Sequence, residues 1–126
     1  MPKRLEVIVV DDQRDLAETT GKLLSLYGHH VTVFTSAPAV LEALDNMQPD
    51  VILSDIRMPG MDGCELAALV RQWPGTEHII LAALTGLEDD ESRQAAVAAG
   101  FDYRFVKPMR PDDLQQFLEE IAKQLH

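Results

Sequence analysis

Five side chains in this chain have the means for phosphoryl chemistry, and each lies at the end of an apolar run. Asp11 and Asp12 follow Val7-Ile8-Val9-Val10, and Asp55 comes just after Val51-Ile52-Leu53. Thr85 follows the run from Ile79 to Leu84, and Lys107 follows Tyr103 to Val106. Each run reads as a buried strand. In an open parallel α/β sheet the carboxyl ends of the strands face one crevice, where ligands collect. Three carboxylates, a hydroxyl and an ammonium are therefore expected to converge. Clustered carboxylates repel unless a cation neutralises them, and their hard oxygens suit Mg²⁺, with Mn²⁺ able to serve in its place.

A carboxylate can attack phosphorus to form an acyl phosphate. The transferring group spreads its charge over three equatorial oxygens, so positioning and electrostatics carry most of the catalysis. Asp55 is the expected acceptor, because it ends an apolar strand and should emerge where solvent is restricted. Asp12 is expected as a direct metal ligand, and Asp11 as a ligand either direct or through water. Lys107 would supply a fixed positive charge and Thr85 a hydroxyl for a phosphoryl oxygen. Singly, each has an ordinary reading: an Asp-Asp turn or helix cap, a loop acid, a commonplace Thr-Gly, a solvated strand end. Their joint placement after apolar runs favours a metal and phosphate site.

The intervening segments change period. Leu16, Thr20, Leu23, Leu24 and Tyr27 predict an amphipathic helix stopped by Gly28. Val31 to Phe34 predicts a strand. Ser36 as N-cap, with Pro38 in the first turn, opens a helix whose stripe is Val40, Leu41, Leu44 and Met47. Leu66, Leu69 and Val70 predict a third helix ending near Trp73-Pro74-Gly75. Ile79 to Leu84 is the most apolar strand and should lie centrally. A fourth helix over about 88–99 begins with Glu88, Asp89, Asp90 and Glu91, which suits the helix dipole, and stops at Gly100. With mainly alanines and Val97 to bury, it should be held loosely. Pro111 opens a last helix with the stripe Leu114, Phe117, Leu118, Ile121 and Leu125. Five strand–helix alternations predict one doubly wound α/β domain over 1–126. Periodicity alone does not order the strands.

A 126-residue chain that is 46% hydrophobic can bury one core. Its 11 Lys and Arg against 21 Asp and Glu give a net charge of −10, which a nucleic-acid backbone or anionic membrane would repel. No direct nucleic-acid partner and no membrane insertion are expected. One cysteine, Cys64, excludes an internal disulfide, and no run is long enough for a signal peptide or membrane span. A cytoplasmic location is expected. Cys64 reads as a small filler rather than a redox group. His29, His30 and His78 read as surface or turn residues.

The whole chain resembles the receiver domain of bacterial response regulators, most specifically over Asp55-Ile56-Arg57-Met58-Pro59-Gly60-Met61-Asp62-Gly63. The resemblance implies a flavodoxin-like (βα)5 sandwich with a parallel five-stranded sheet in the order 2-1-3-4-5. It implies phosphorylation of Asp55 and Mg²⁺ held by Asp11, Asp12, Asp55 and the backbone carbonyl of Arg57. It also implies Thr85 as the switch hydroxyl and Lys107 as the phosphate-contacting lysine, commonly with a cis Lys-Pro bond, here Lys107-Pro108. The implied phosphoryl source is a sensor histidine kinase or histidine phosphotransfer protein. One residue departs: where many receivers carry Tyr or Phe three residues before the lysine, this chain has Arg104. Tyr103 should face the opposite side of its strand.

The expected function is a phosphoacceptor module that switches its binding surface and catalyses only its own phosphorylation and dephosphorylation. The alternative is a phosphate relay or sink excised from a hybrid histidine kinase, which 99–108 resembles. The sequence ends one residue after its last apolar residue, Leu125, and a stand-alone receiver is the other reading of that end. An aspartate-nucleophile phosphatase is disfavoured because Arg57 stands where such enzymes place a second Asp. A flavodoxin relative is disfavoured because Asp11-Asp12 would repel the cofactor phosphate. A receiver-like scaffold that is never phosphorylated is disfavoured because no site residue is lost.

Overall fold

Val7, Ile8, Val9 and Val10 offer no polar side chain to solvent, and each is at most 1% exposed. A strand so composed must be covered on both faces. The computed structural model describes residues 4–86, 90–107 and 110–125. In order come β1 (Glu6–Val10), α1 (Arg14–Leu26), β2 (His30–Phe34), α2 (Ala37–Ala43) and β3 (Val51–Asp55). There follow α3 (Gly63–Gln72), β4 (Ile80–Thr85), α4 (Asp90–Ala99), β5 (Tyr103–Val106) and α5 (Pro111–Gln124). The strands form one sheet in the order β2-β1-β3-β4-β5, and every neighbouring pair is parallel. This is the expected architecture. As its apolarity predicts, β4 is a central strand, flanked by β3 and β5.

Strand alternation divides the core between two layers. Ile8, Val10, Ile52, Leu81 and Ala83 pack with Val40, Leu66, Val70 and Ala96, so α2, α3 and α4 cover one face. Val7, Val9, Val51, Leu53 and Ala82 pack with Ala17, Leu24, Leu118 and Ile121, so α1 and α5 cover the other.

Three predicted helix faces are corrected. In α1 the buried positions are Ala17, Gly21 and Leu24, while Leu16 is 47% exposed. The reason is close approach: a Cβ on Gly21 would come within 2.7 Å of Val33 Cγ2, so a small-residue face meets β2. In α3, Ala67 is buried and Leu69 is at the exposed rim. In α4, Ala96 is buried and Val97 is 69% exposed, which leaves even less apolar anchorage than expected. Met47 packs on the core from beyond the end of α2. Glu88 and Asp89, the expected start of the fourth helix, lie outside the described residues, as does Pro108 with its expected cis bond.

The other helix signals work as expected. Gly28 and Gly100 have φ of 96° and 108°, beyond the ends of α1 and α4. Ser36 is the N-cap of α2, although its side chain makes no capping bond. In α5, Leu114, Phe117, Leu118 and Ile121 are buried as one stripe.

Candidate phosphoacceptor site

Each apolar strand stops where its chain can turn, and the first polar residues emerge together. Asp11 follows β1, Asp55 is the last residue of β3, Thr85 is the last of β4, and Lys107 follows β5. Carboxylate oxygens of Asp11, Asp12 and Asp55 all lie within 4.8 Å of one another. Lys107 Nζ is 3.2 Å from Asp11 Oδ2 and 3.2 Å from Asp55 Oδ2. Asp11 is 5% exposed and its Oδ1 accepts the Gln13 N–H at 2.9 Å, whereas Asp12 is exposed. Thr85 is buried, and its carbonyl accepts the Lys107 N–H at 2.7 Å, tying the ends of β4 and β5 together. Arg57 lies just beyond Asp55 with an exposed side chain.

The electrostatics are unbalanced. Burial raises the Asp55 carboxyl above its ordinary value; Lys107 opposes this and Asp11 adds to it. Burial would lower the Lys107 ammonium, but Asp55 and Asp11 together hold it above its ordinary value. One ammonium cannot neutralise three carboxylates, and oxygen donors so close form a donor set that fits a hard divalent cation.

Sequence reasoning missed the residues that set the loop beneath the site. Asp62 accepts the Glu65 N–H at 2.8 Å, and Glu65 Oε1 accepts the Asp62 N–H at 3.2 Å, a reciprocal cap that starts α3. The Asp-x-x-Glu spacing was its available signal. Gly63 lies against the backbone of Asp55 and Ile56: a Cβ there would overlap the Asp55 carbonyl oxygen and reach within 2.8 Å of Ile56 Cα. Cys64 is half-buried, and burial, followed by the Asp62 charge, pushes its thiol up, in keeping with a filler. His29, expected as a surface or turn residue, directly follows a turn at 27–28 but is only 9% exposed, and its Nδ1 accepts the Leu5 N–H at 3.1 Å.

Arg104 pairs in register with Ala83, on the α4 side of the sheet, and Tyr103 with Ala82, on the α5 side. Tyr103 packs edge-on against Phe117, with ring centroids 4.9 Å apart. It therefore faces away from Arg104, as alternation requires.

A parallel 2-1-3-4-5 sheet with acids, a hydroxyl and a lysine at its strand ends defines a phosphoacceptor signalling module. The response regulator receiver domain model matches residues 7–119, and the chain belongs to that family. A 14.6 kDa protein of Leptolyngbya boryana described as uncharacterized is 35% identical over 117 residues, covering 93% of this chain and 89% of its own length. The DNA-binding transcriptional regulator NtrC of Escherichia coli K12 is 39% identical over 114 residues, 90% of this chain but only 24% of NtrC. The signal receiver domain of a signal transduction histidine kinase from Syntrophus aciditrophicus superposes with a TM-score of 0.89 at 25% identity, covering 96% and 92% of the two chains. Receiver domains generally bind Mg²⁺ at an acidic pocket and interact with histidine kinases or phosphotransfer proteins. Among the described residues no helix is long and apolar enough to cross a membrane.

Proposed function

We propose that Asp55 is the residue this receiver phosphorylates, in a single domain over 1–126 working in the cytoplasm. The cation, Mg²⁺ or Mn²⁺, would be held by Asp11, Asp12, Asp55 and the backbone carbonyl of Arg57. The observation that carries the reading is the position of Lys107 Nζ, 3.2 Å from both Asp11 and Asp55, within a cluster of three carboxylates. When bound, the cation supplies the positive charge that three carboxylates and an incoming phosphoryl group require.

An Asp55 carboxylate oxygen forms the new P–O bond as the P–N bond of a phosphohistidine breaks, and the electron pair leaves with the imidazole nitrogen. Lys107 and Thr85 then hold phosphoryl oxygens at the ends of β5 and β4. Those contacts exist only with the group present, so they bias the domain toward a second arrangement of the Thr85 end of β4 and of α4. Tyr103, packed on Phe117, takes little part. Water later removes the phosphoryl group, and the only reaction catalysed is the domain's own. Relay within a hybrid histidine kinase is the second reading, favoured by the likeness to a histidine-kinase receiver domain.

The test is incubation with acetyl phosphate and Mg²⁺, followed by mass spectrometry. Label is expected on Asp55 alone, absent without a divalent cation and absent in Asp55→Asn. Strong, metal-independent labelling of that variant overturns the assignment.

A further inference from the structure

Ser54 is 1% exposed in a strand that is otherwise aliphatic up to Asp55. It pairs with Val10 on one side and Ala83 on the other, both in the layer covered by α2, α3 and α4. Its side chain therefore enters an apolar environment, where a hydroxyl without a partner is costly. The hydroxyl donates to the backbone carbonyl oxygen of Asp55 at 2.8 Å. That oxygen is also the atom against which Gly63 closes. The following peptide is held as well. Ile56 N–H donates to Leu84 O at 3.3 Å, and Gly63 N–H donates to Ile56 O at 2.8 Å. The backbone leaving Asp55 is thus gripped from β3 itself, from β4 and from α3.

We infer that Ser54 is a positioning residue for phosphoryl acceptance: its hydroxyl fixes the Asp55 carbonyl and, through that peptide, the direction of the Asp55 carboxylate. The inference rests on Asp55 being the acceptor. In-line attack demands a narrow approach geometry, and a misplacement of about 1 Å can cost ~10²-fold in rate. Without the hydroxyl, the Asp55 carbonyl loses its donor and can turn, carrying the carboxylate with it. Gly63 and Ile56 limit that movement, so a partial loss of rate is expected. A hydroxyl serving stability alone would change the melting temperature and leave the rate of the folded molecules untouched.

Ser54→Thr and Ser54→Val have the same shape and differ only in the hydroxyl. The full chain, with Mg²⁺ and acetyl phosphate, is assayed for its labelling rate at saturating phosphodonor and for the phosphodonor concentration giving half that rate. Ser54→Thr is expected to stay within about twofold of the parent, and Ser54→Val to be slower by about tenfold with the half-saturation concentration unchanged. Ser54→Ala, which adds no methyl to the core, is expected to show the same loss. Parental rates in the valine and alanine variants overturn the inference, as does a loss confined to half-saturation, and labelling of the parent at Asp55 then leaves the acceptor reading standing. A parent that takes no label, or takes it elsewhere, overturns the acceptor reading and the inference with it.

Discussion

The two ends of the sheet solve opposite problems. At the carboxyl ends of the strands, three carboxylates face one ammonium, and burial works against the charge on Asp55. At the opposite end, Arg71 from α3 finds a partner for each nitrogen of its guanidinium. Its Nη1 donates to the carbonyls of Thr76 and Ile79, its Nε to that of Gly100, and its Nη2 pairs with Asp102 at 2.6 Å. Asp102 Oδ2 also accepts the Leu81 N–H at 2.9 Å. This network ties the ends of α3 and α4 to the starts of β4 and β5. One end sets three carboxylates against a single ammonium; the other joins its charged groups to partners within the chain. A protein that departs from internal consistency does so where it acts.

The comparison bears on α4. Its C-terminal turn is held through Gly100, where a Cβ would come within 2.9 Å of Arg71 Cγ, while Ala96 supplies its buried apolar contact. Hydrogen bonds therefore hold α4 at its C-terminal end, the end far from the carboxyl ends of the strands, and little buried apolar area among its described residues adds to them.

The largest effect expected from breaking this contrast comes from Arg71→Ala. Carbonyls of three residues and the Asp102 carboxylate lose a charged donor, and folding stability should fall by about 2 kcal/mol. Denaturant titration measures it, and hydrogen exchange at Gly100 and Phe101 should quicken. Acetyl phosphate should still label Asp55. Unchanged stability would show that the closed end is closed without Arg71.

The convergence of the candidate site residues was legible because a strand's end is written in its composition. The apolar runs stop just short of Asp11, Asp55 and Lys107 and at Thr85, so placing the strands placed the site. The opposite end was not legible in that way. Nothing local marks Arg71 and Asp102, 31 positions apart, as partners; their meeting depends on the order of strands, which periodicity does not supply. His29 was misplaced for the same reason, since its hydrogen-bond donor lies on the chain before β1. The outward turn of Leu16 was not legible either, because composition marks apolar positions and not the close approach of β2 to α1 at Gly21, where a Cβ would come within 2.7 Å of Val33 Cγ2. Ser54 was overlooked because a serine among aliphatic residues signals a partner without naming it.

A smaller effect of opposite sign is expected from Asp12→Ala. Removing one carboxylate from the open end relieves repulsion, so metal-free stability should rise, by less than about 1 kcal/mol because Asp12 is exposed and screened by solvent. Divalent affinity, followed by titration, should fall. A destabilised variant in metal-free buffer would mean that the acidic cluster is balanced within the chain, and the contrast between the two ends would be lost.

The smallest effect concerns His29. Burial lowers its pKa, and the Glu119 charge opposes that shift. The Nδ1 atom that accepts the Leu5 N–H must be unprotonated to do so. The folded protein therefore binds the proton less readily than the unfolded chain, whose imidazole titrates near 6.5. The stabilising contribution is complete above that value, declines as pH falls below it, and is lost once pH passes the lowered folded value. His29→Asn keeps an acceptor oxygen near the position of Nδ1 but has nothing to protonate. Melting temperatures of parent and variant, taken at each pH from 7.5 to 5, should diverge toward acid, with the parent falling faster. Comparing the two proteins at the same pH cancels the carboxylates they share, including Asp55. Parallel curves would mean that the bond from Leu5 survives acidification, and that this end of the sheet owes nothing to the imidazole.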